Sequence, residues 1–238
     1  MSTLNLEDLL EAGAHFGHLK GKINPKMKPY IFTMRNNVHI INIEETKNLF
    51  EKALEFLKKI LNENKLVLFV GTKRQAKNAV TKLAKSLNMP YVVHRWLGGT
   101  LTNFDTIQKS LKRLNDLKAE LKSDDLEQKY TKKEIGLKQK ECVKLEQNVG
   151  GLQLLNKLPD AIFIIDPISE KTVVLEALSI SIPIVAVLDT NADPRIIDYP
   201  IPANDEAVKT INLICEVLEK ELSKSDKKAV KKEENEKK

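Results

Sequence analysis

Three stretches of this chain, Leu66-Val67-Leu68-Phe69-Val70, Ala161-Ile162-Phe163-Ile164-Ile165 and Ile184-Val185-Ala186-Val187-Leu188, contain no polar side chain. Runs this short, bounded by turn residues and without alternation, fit strands covered on both faces. Such strands belong to parallel sheets, whose crossover helices pack on either side. Intervening segments supply those helices: 44–61, 75–87, 170–178, and 205–222 with Asn204 as its cap. Further strands are expected at Val38-His39-Ile40-Ile41-Asn42-Ile43 and Tyr91-Val92-Val93, with a stub at Tyr199-Pro200-Ile201-Pro202. A short amphipathic helix built on Leu6, Leu9 and Leu10 ends near Gly13. The pattern predicts an α/β fold with right-handed crossovers and a mostly parallel sheet.

The alternation breaks in the middle. Ile107, Leu114 and Leu121 recur seven apart with Leu111 between them, and Ile135, Cys142 and Val149 do the same with Leu145 and Leu152. Two such helices joined by a polar link, 122–133, predict an inserted antiparallel helical (coiled-coil) hairpin. The expected layout is an N-terminal part of the α/β domain with a basic arm (1–104), the hairpin (105–157), the C-terminal part of the domain (158–222), and a disordered charged tail (223–238) of Lys and Glu. The stretch 14–37, with Gly17, Gly21, Pro25 and Pro29 and little periodicity, is expected to be the extended arm.

Charge is sorted along the sequence more than its net +6 suggests. Residues 65–103 carry no carboxylate but hold Lys65, Lys73, Arg74, Lys77, Lys82, Lys85 and Arg95. Residues 12–43 are also acid-free and add Lys20, Lys22, Lys26, Lys28 and Arg35. From 160 to 206 nine Asp or Glu face only Lys171 and Arg195. Solvated helix faces normally interleave both signs, so this sorting points to a field of one sign and a polyanionic partner, with the acidic part turned to solvent or to basic neighbours. Cys142 and Cys215 are far apart with no CxxC, which excludes a disulfide framework or zinc module and fits a reducing cytosol. The start lacks a basic, apolar leader and no apolar run approaches a membrane span, so a soluble intracellular protein is expected.

Strand ends are where a parallel sheet places its ligands. Val70-Gly71-Thr72-Lys73-Arg74 lies at such an end, but lacks the second glycine and the Lys-Ser/Thr pair of a phosphate-binding loop, and no GxGxxG occurs. It suits an RNA phosphate better, offering N–H groups, a hydroxyl and two cations. Asp166 and Asp189 end strands and could hold Mg²⁺ or accept a phosphoryl group, but before Pro167 and near Asp193-Pro194 they also suit turns and caps. His15 and His18 have no nearby Cys or carboxylate ligand, so hydrogen bonding to backbone or RNA is expected in place of a metal. In His94-Arg95-Trp96-Leu97-Gly98-Gly99-Thr100-Leu101-Thr102-Asn103-Phe104, Trp96 is expected to plug the junction of sheet and hairpin. Gly98-Gly99 would make the turn and Thr102 cap the next helix, while Arg95 suits a phosphate or a base. No nucleophile motif or cofactor motif is present.

At this point a resemblance becomes specific. Ala12-Gly13-Ala14-His15-Phe16-Gly17-His18, Asn24-Pro25-Lys26-Met27-Lys28-Pro29-Tyr30-Ile31-Phe32 and Arg35-Asn36-Asn37-Val38-His39-Ile40-Ile41-Asn42 occur in order. They are followed by Phe69-Val70-Gly71-Thr72-Lys73, His94-Arg95-Trp96-Leu97-Gly98-Gly99, Leu158-Pro159-Asp160-Ala161 and Asp189-Thr190-Asn191-Ala192-Asp193-Pro194. In these pieces, spread over nearly the whole length, the chain resembles the bacterial-type ribosomal protein S2 family. The resemblance implies a flavodoxin-like parallel sheet with flanking helices and the inserted hairpin. It also implies a non-enzymatic, cytoplasmic role in the small (30S) ribosomal subunit, bound to 16S rRNA and neighbouring ribosomal proteins, including ribosomal protein S1.

Lys22-Ile23 stands where an aromatic residue commonly precedes Asn-Pro-Lys in that family, and lysine heavily outnumbers arginine, so phosphate contacts should be point charges. The expected rRNA-binding residues are Lys20, Lys22, Lys26, Lys28, Arg35, Lys73, Arg74 and Arg95, with no metal, cofactor, small-molecule substrate or membrane. The competing readings are a sugar-phosphate isomerase or phosphotransfer enzyme using Asp166, Asp189 and the Gly71 loop, and a free-standing adaptor using the hairpin.

Overall fold

The basic N-terminal segment is folded. In this computed structural model, which describes residues 4–123 and 130–236 and side chains through residue 223, helix α1 (Leu6–Glu11) leads into three strands. β1 (Phe16–Leu19), β2 (Ile31–Arg35) and β3 (Val38–Ile41) form an antiparallel sheet in the order β1-β3-β2. The sequence expectation of an extended arm over 14–37 is therefore corrected, and so is the placing of the 38–43 strand among parallel neighbours. The cause is local. Asn36 and Asn37 both take positive φ, 50° and 62°, the geometry of a two-residue type I′ hairpin loop, for which Asn is well suited. Two 3-10 turns, Lys20–Lys22 and Pro25–Tyr30, connect β1 to β2.

Helix α2 (Ile43–Asn62) follows, with the Asn42 side chain accepting from the Glu44 N–H at its start. β4 (Val67–Val70), helix α3 (Lys77–Ser86) and β5 (Tyr91–Val92) come next, then α4 (Phe104–Leu121) and α5 (Lys132–Val149). The chain closes with β6 (Ala161–Ile165), α6 (Lys171–Ser179), β7 (Ile184–Leu188), β8 (Tyr199–Pro202) and α7 (Val208–Glu236). The five strands β4 to β8 form a parallel sheet in the order β5-β4-β6-β7-β8. Counted within that sheet the order is 2-1-3-4-5, the flavodoxin-like doubly wound arrangement. The expected stub at 199–202 is a full edge strand paired to β7.

Every residue of β4, β6 and β7 is buried, which explains runs without alternation. On one face Phe69, Phe163 and Val185 pack with Phe50 and Leu57 of α2, Leu83 of α3 and Leu218 of α7. On the other, Leu68, Ile164 and Ala186 pack with Val173 of α6 and with Ile107, Leu111 and Leu114 of α4. Each large side chain buried this way contributes about 1.5–3 kcal/mol. The root of α4 thus forms part of the crossover layer between β5 and β6. Beyond it the antiparallel α4 and α5 are linked by ion pairs, the exposed Arg113–Glu141 and the half-buried Glu120–Lys138 among them. Residues 124–129 of the linking segment lie outside the described residues.

Gly151, just after α5, seats this layer against the sheet edge. A Cβ there would lie 2.2 Å from the Tyr91 carbonyl oxygen, closer than any real contact. Gly151→Ala is expected to cost about 1–3 kcal/mol by overpacking, lowering the midpoint of a thermal melt by roughly 3–10 °C. Gly136→Ala, in open space on α5, is the control and should melt no lower than the parent.

One expectation at the C-terminus is corrected. Asn204 does accept from the N–H groups of Glu206 and Ala207, but the helix it introduces begins at Val208. The backbone of α7 runs on through Glu236, over Lys, Glu and Ala residues of high helix propensity. Among the described residues no helix is long and apolar enough to cross a membrane.

Candidate nucleic-acid interface

Because β4 to β8 run parallel, the loops that follow them share one edge of the sheet. In this fold the ligand crevice opens at that edge where the strand order reverses, here between β4 and β6. The chain fills it with its own side chains. The Thr72 N–H donates to Glu170 Oε1 at 2.8 Å, and the Lys73 ammonium lies 2.6 Å from Asp166 Oδ2 and 2.7 Å from Asp205 Oδ1. Asp166, at the end of β6 with φ of 62°, also accepts from the N–H groups of Ile168 and Ser169 and from the Ser169 hydroxyl. It sets a turn, and the residues considered for phosphoryl chemistry are engaged in structure. Among the described residues no group of three or more His, Cys, Asp or Glu is placed to hold a metal ion.

The electrostatics follow from burial. Burial pushes the Asp205 carboxyl up to about 7, helped by the neighbouring charge of Asp166, and it pushes Glu170 up as well. Burial also opposes ionisation of Asp166, but hydrogen bonds from Lys73 and Ser169 outweigh it and hold that carboxyl below its usual range. Lys73 is held above the usual lysine range: burial disfavours its charge, yet Asp166 and Asp205 more than compensate. These acids face inward. The expectation that the 160–206 acids turn to solvent or neighbours is corrected for Asp166, Glu170, Glu176, Asp189 and Asp205, all buried.

The antiparallel sheet is locked onto the same edge beside β7. A Cβ on Gly17 would sit 2.6 Å from the Thr190 methyl, so only glycine lets β1 approach this closely. The His18 N–H donates to the Thr190 hydroxyl at 2.9 Å, and His18 Nδ1 lies 2.8 Å from Asp189 Oδ2. The Asn24 N–H donates to the Thr190 carbonyl at 2.8 Å. His18 therefore binds a carboxylate 171 positions away, in place of the backbone or RNA contact expected for it. His15 Nδ1 is buried without a hydrogen-bond partner among the described residues.

Sequence placed eight cations at the interface, and seven of them are exposed with no ion pair among the described residues. Lys20, Lys22, Lys26 and Lys28 sit on the two 3-10 turns, and Arg35 ends β2 beside the Asn36-Asn37 loop. Arg74 follows β4 and Arg95 follows β5, so both emerge at the carboxyl edge to which the antiparallel sheet is attached. Lys73 departs from the set, since its ammonium is held by two carboxylates and its side chain is only 20% exposed. Lys65 and Lys82 of the acid-free run also find acids, Glu63 and Glu219.

Sequence reasoning missed Glu176. This buried carboxylate on α6 accepts from Trp96 Nε1 at 3.0 Å, Gly99 N–H at 2.8 Å and Leu101 N–H at 2.9 Å, with the Thr102 N–H and hydroxyl both at 3.4 Å. Thr102 thus serves Glu176 and does not cap α4 as expected. Trp96 fills the junction with Val92, Leu111 and Leu114 as its size suggested, and Gly98 and Gly99 lie in the turn. A carboxylate in the middle of a helix pattern reads as solvated, and nothing in the sequence near 176 marks it as a buried acceptor.

The chain is a doubly wound α/β domain whose crevice is filled by its own ion pairs. Residues 9–225 match the family profile described as Ribosomal protein S2. Small ribosomal subunit protein uS2 of a Nitratiruptor species is 47% identical over 215 residues, covering 90% of this chain and 80% of the relative. Small ribosomal subunit protein uS2 of Helicobacter hepaticus is 46% identical over 215 residues, covering 90% of this chain and 81% of the relative. The chain belongs to the ribosomal protein S2 family, whose members are structural, non-enzymatic components of the small ribosomal subunit.

Proposed function

We propose that the chain is held in the cytoplasmic small (30S) subunit by 16S rRNA phosphates lying along the carboxyl edge of its sheet. Lys20, Lys22, Lys26, Lys28, Arg35, Arg74 and Arg95 are the clamps. The observation that carries this reading is that these seven cations are exposed without an ion pair among the described residues, while Asp166, Glu170, Asp189 and Asp205 of that edge are buried. Such contacts fix position and carry no base specificity. Neighbouring small-subunit proteins, ribosomal protein S1 among them, are proposed as further partners; Leu137 and Val143, exposed on α5, favour a protein contact there.

The test is the salt dependence of binding between the full chain and a 16S rRNA transcript. Neutralising one clamp, as in Arg35→Ala or Lys26→Ala, should weaken binding several-fold and reduce the slope of log K against log salt by about 0.7–0.9. Lys220→Ala, exposed on α7 away from this edge, should leave the slope unchanged. A flat salt response of the parent chain would overturn the proposal.

A further inference from the structure

We infer that the cleft between α3 and α5, at the β5 edge of the parallel sheet, takes a single unpaired nucleotide. Its base would lie beside the Tyr91 ring and its phosphate on Arg95, Lys77 and Lys85. The cleft follows from the topology. α3 packs on one face of the sheet and the α4–α5 layer on the other, so the two-residue edge strand β5 lies at the bottom of the gap between them. α5 returns to the sheet through a 3-10 turn, Gly150–Leu152, in which Gly151 lies against the Tyr91 carbonyl. A cavity of about 450 Å³ remains, lined by Thr81 of α3, by Tyr91 and His94, and by Cys142, Gln147 and Asn148 of α5. Small-ligand sites span roughly 300–1,000 Å³. A Cβ on Gly151 would lie 2.9 Å from two Tyr91 ring carbons, so bare backbone supports the ring in the cavity wall.

The chemistry of the walls selects the occupant. Lys77 and Lys85 stand four residues either side of Thr81 and so share its face of α3, and Arg95 directly follows His94. None of these three cations has an ion pair among the described residues. The carboxylate of the lining, Glu146, is already paired with Lys118. His94, Gln147 and Asn148 make no side-chain hydrogen bond among the described residues. Each amide offers two donors and an acceptor oxygen, which match the edge of a base. A ring, two unengaged amides and uncompensated cations together suit a nucleotide, whose base stacks while its phosphate carries the charge. An apolar protein side chain would leave the amides and cations unmatched. With the nucleotide supplied by rRNA, this inference deepens the proposed rRNA contact and rests on it; a free mononucleotide is the other source of the same chemistry.

Cys142 reports occupancy from inside the cavity. The chain has two cysteines, and burial shields Cys215 and pushes its thiol up to about 12, so iodoacetamide alkylates Cys142 alone. With the full chain and a 16S rRNA transcript at about ten times its Kd, alkylation of Cys142 should slow about tenfold, because only the free fraction reacts. Adenosine and uridine 5′-monophosphate, each tested alone, identify the source. Protection by either assigns the cleft to free nucleotides, and protection by the transcript alone assigns it to rRNA. Thr81→Glu places a carboxylate between Lys77 and Lys85 and fills the cavity, and Gln147→Glu adds a charge at an exposed position of its wall. Both variants should lose most of the protection, with the thermal melt unchanged. If the transcript binds the parent with a steep salt response while neither it nor the mononucleotides slow alkylation, the inference is overturned. Full protection persisting in both variants also overturns it, since the RNA would then lie across the cleft without entering it. A flat salt response of the parent fails the rRNA reading itself, a separate outcome.

Discussion

Glu176→Ala is expected to lower the melting midpoint by on the order of 10 °C at neutral pH, through a loss of about 3–5 kcal/mol. The carboxylate is the shared acceptor of the 96–102 turn: Trp96 Nε1 and the Gly99 and Leu101 N–H groups lie within 3.0 Å of it. Trp96 is 9% exposed and Leu101 is buried, so those donors cannot turn to water when the acceptor goes. An unsatisfied buried donor costs about 1–3 kcal/mol, and at least two would be stranded. Glu176→Gln should fall between, since the amide oxygen can still accept while its NH₂ faces donors. Burial opposes ionisation of Glu176, but the Trp96 indole and the backbone N–H groups of Leu101, Gly99 and Thr102 outweigh it and hold the carboxyl below its usual range. A depressed carboxyl contributes stability that is present above its unfolded value and lost as pH falls through its folded one. The deficit of Glu176→Gln should therefore be full at pH 7 and shrink below about pH 4. Trp96 is the only tryptophan, so its emission reports the turn directly and should shift to the red in Glu176→Ala before global unfolding.

The contrast between Glu176 and the strands shows what a sequence can disclose. Leu66-Val70, Ala161-Ile165 and Ile184-Leu188 announce buried parallel strands because burial on both faces removes every polar position from a contiguous run. Glu176 cannot announce itself, since its partner Trp96 lies 80 positions away and nothing local separates a solvated glutamate from a buried one. The N-terminal sheet falls between these cases. Asn36-Asn37 between Arg35 and Val38 is a legible hairpin signal. The rest of its period-2 pattern is broken by register slips at Phe16/Leu19 and Ile31/Thr33 and by turns carrying Pro25 and Pro29. The exposure of Lys20, Lys22, Lys26, Lys28, Arg35, Arg74 and Arg95 was readable because a cation in an acid-free stretch needs no partner within the chain. Lys73 was not, because an acid-free run in sequence does not stay acid-free once β4 and β6 lie side by side and bring Asp166 to its ammonium.

Lys73→Met tests that last point. Removing one member of a buried ion group while leaving the others typically costs about 3–5 kcal/mol, again on the order of 10 °C in melting midpoint for a chain of this length. The parent already balances opposing effects there. Asp205, raised by burial to about 7, contributes stability at low pH that is lost as pH rises through that value. Asp166, held low through Lys73 and Ser169, contributes in the opposite sense, with stability present above its unfolded value and lost in acid. Without the ammonium both carboxyls become acids raised by burial and by each other. One of them takes a proton at mildly acid pH and relieves the repulsion. The deficit of Lys73→Met against the parent should accordingly be smallest near pH 5 and grow toward pH 8. A phosphate clamp would behave otherwise, losing RNA affinity and salt slope with no change in melting. The double variant Lys73→Met with Asp205→Asn, which removes one charge of each sign, should recover much of the lost stability and flatten the pH dependence. A melting midpoint unchanged by Lys73→Met at pH 8 would mean that Asp166 and Asp205 do not depend on the ammonium. Lys73 would then return to the set of cations free for RNA.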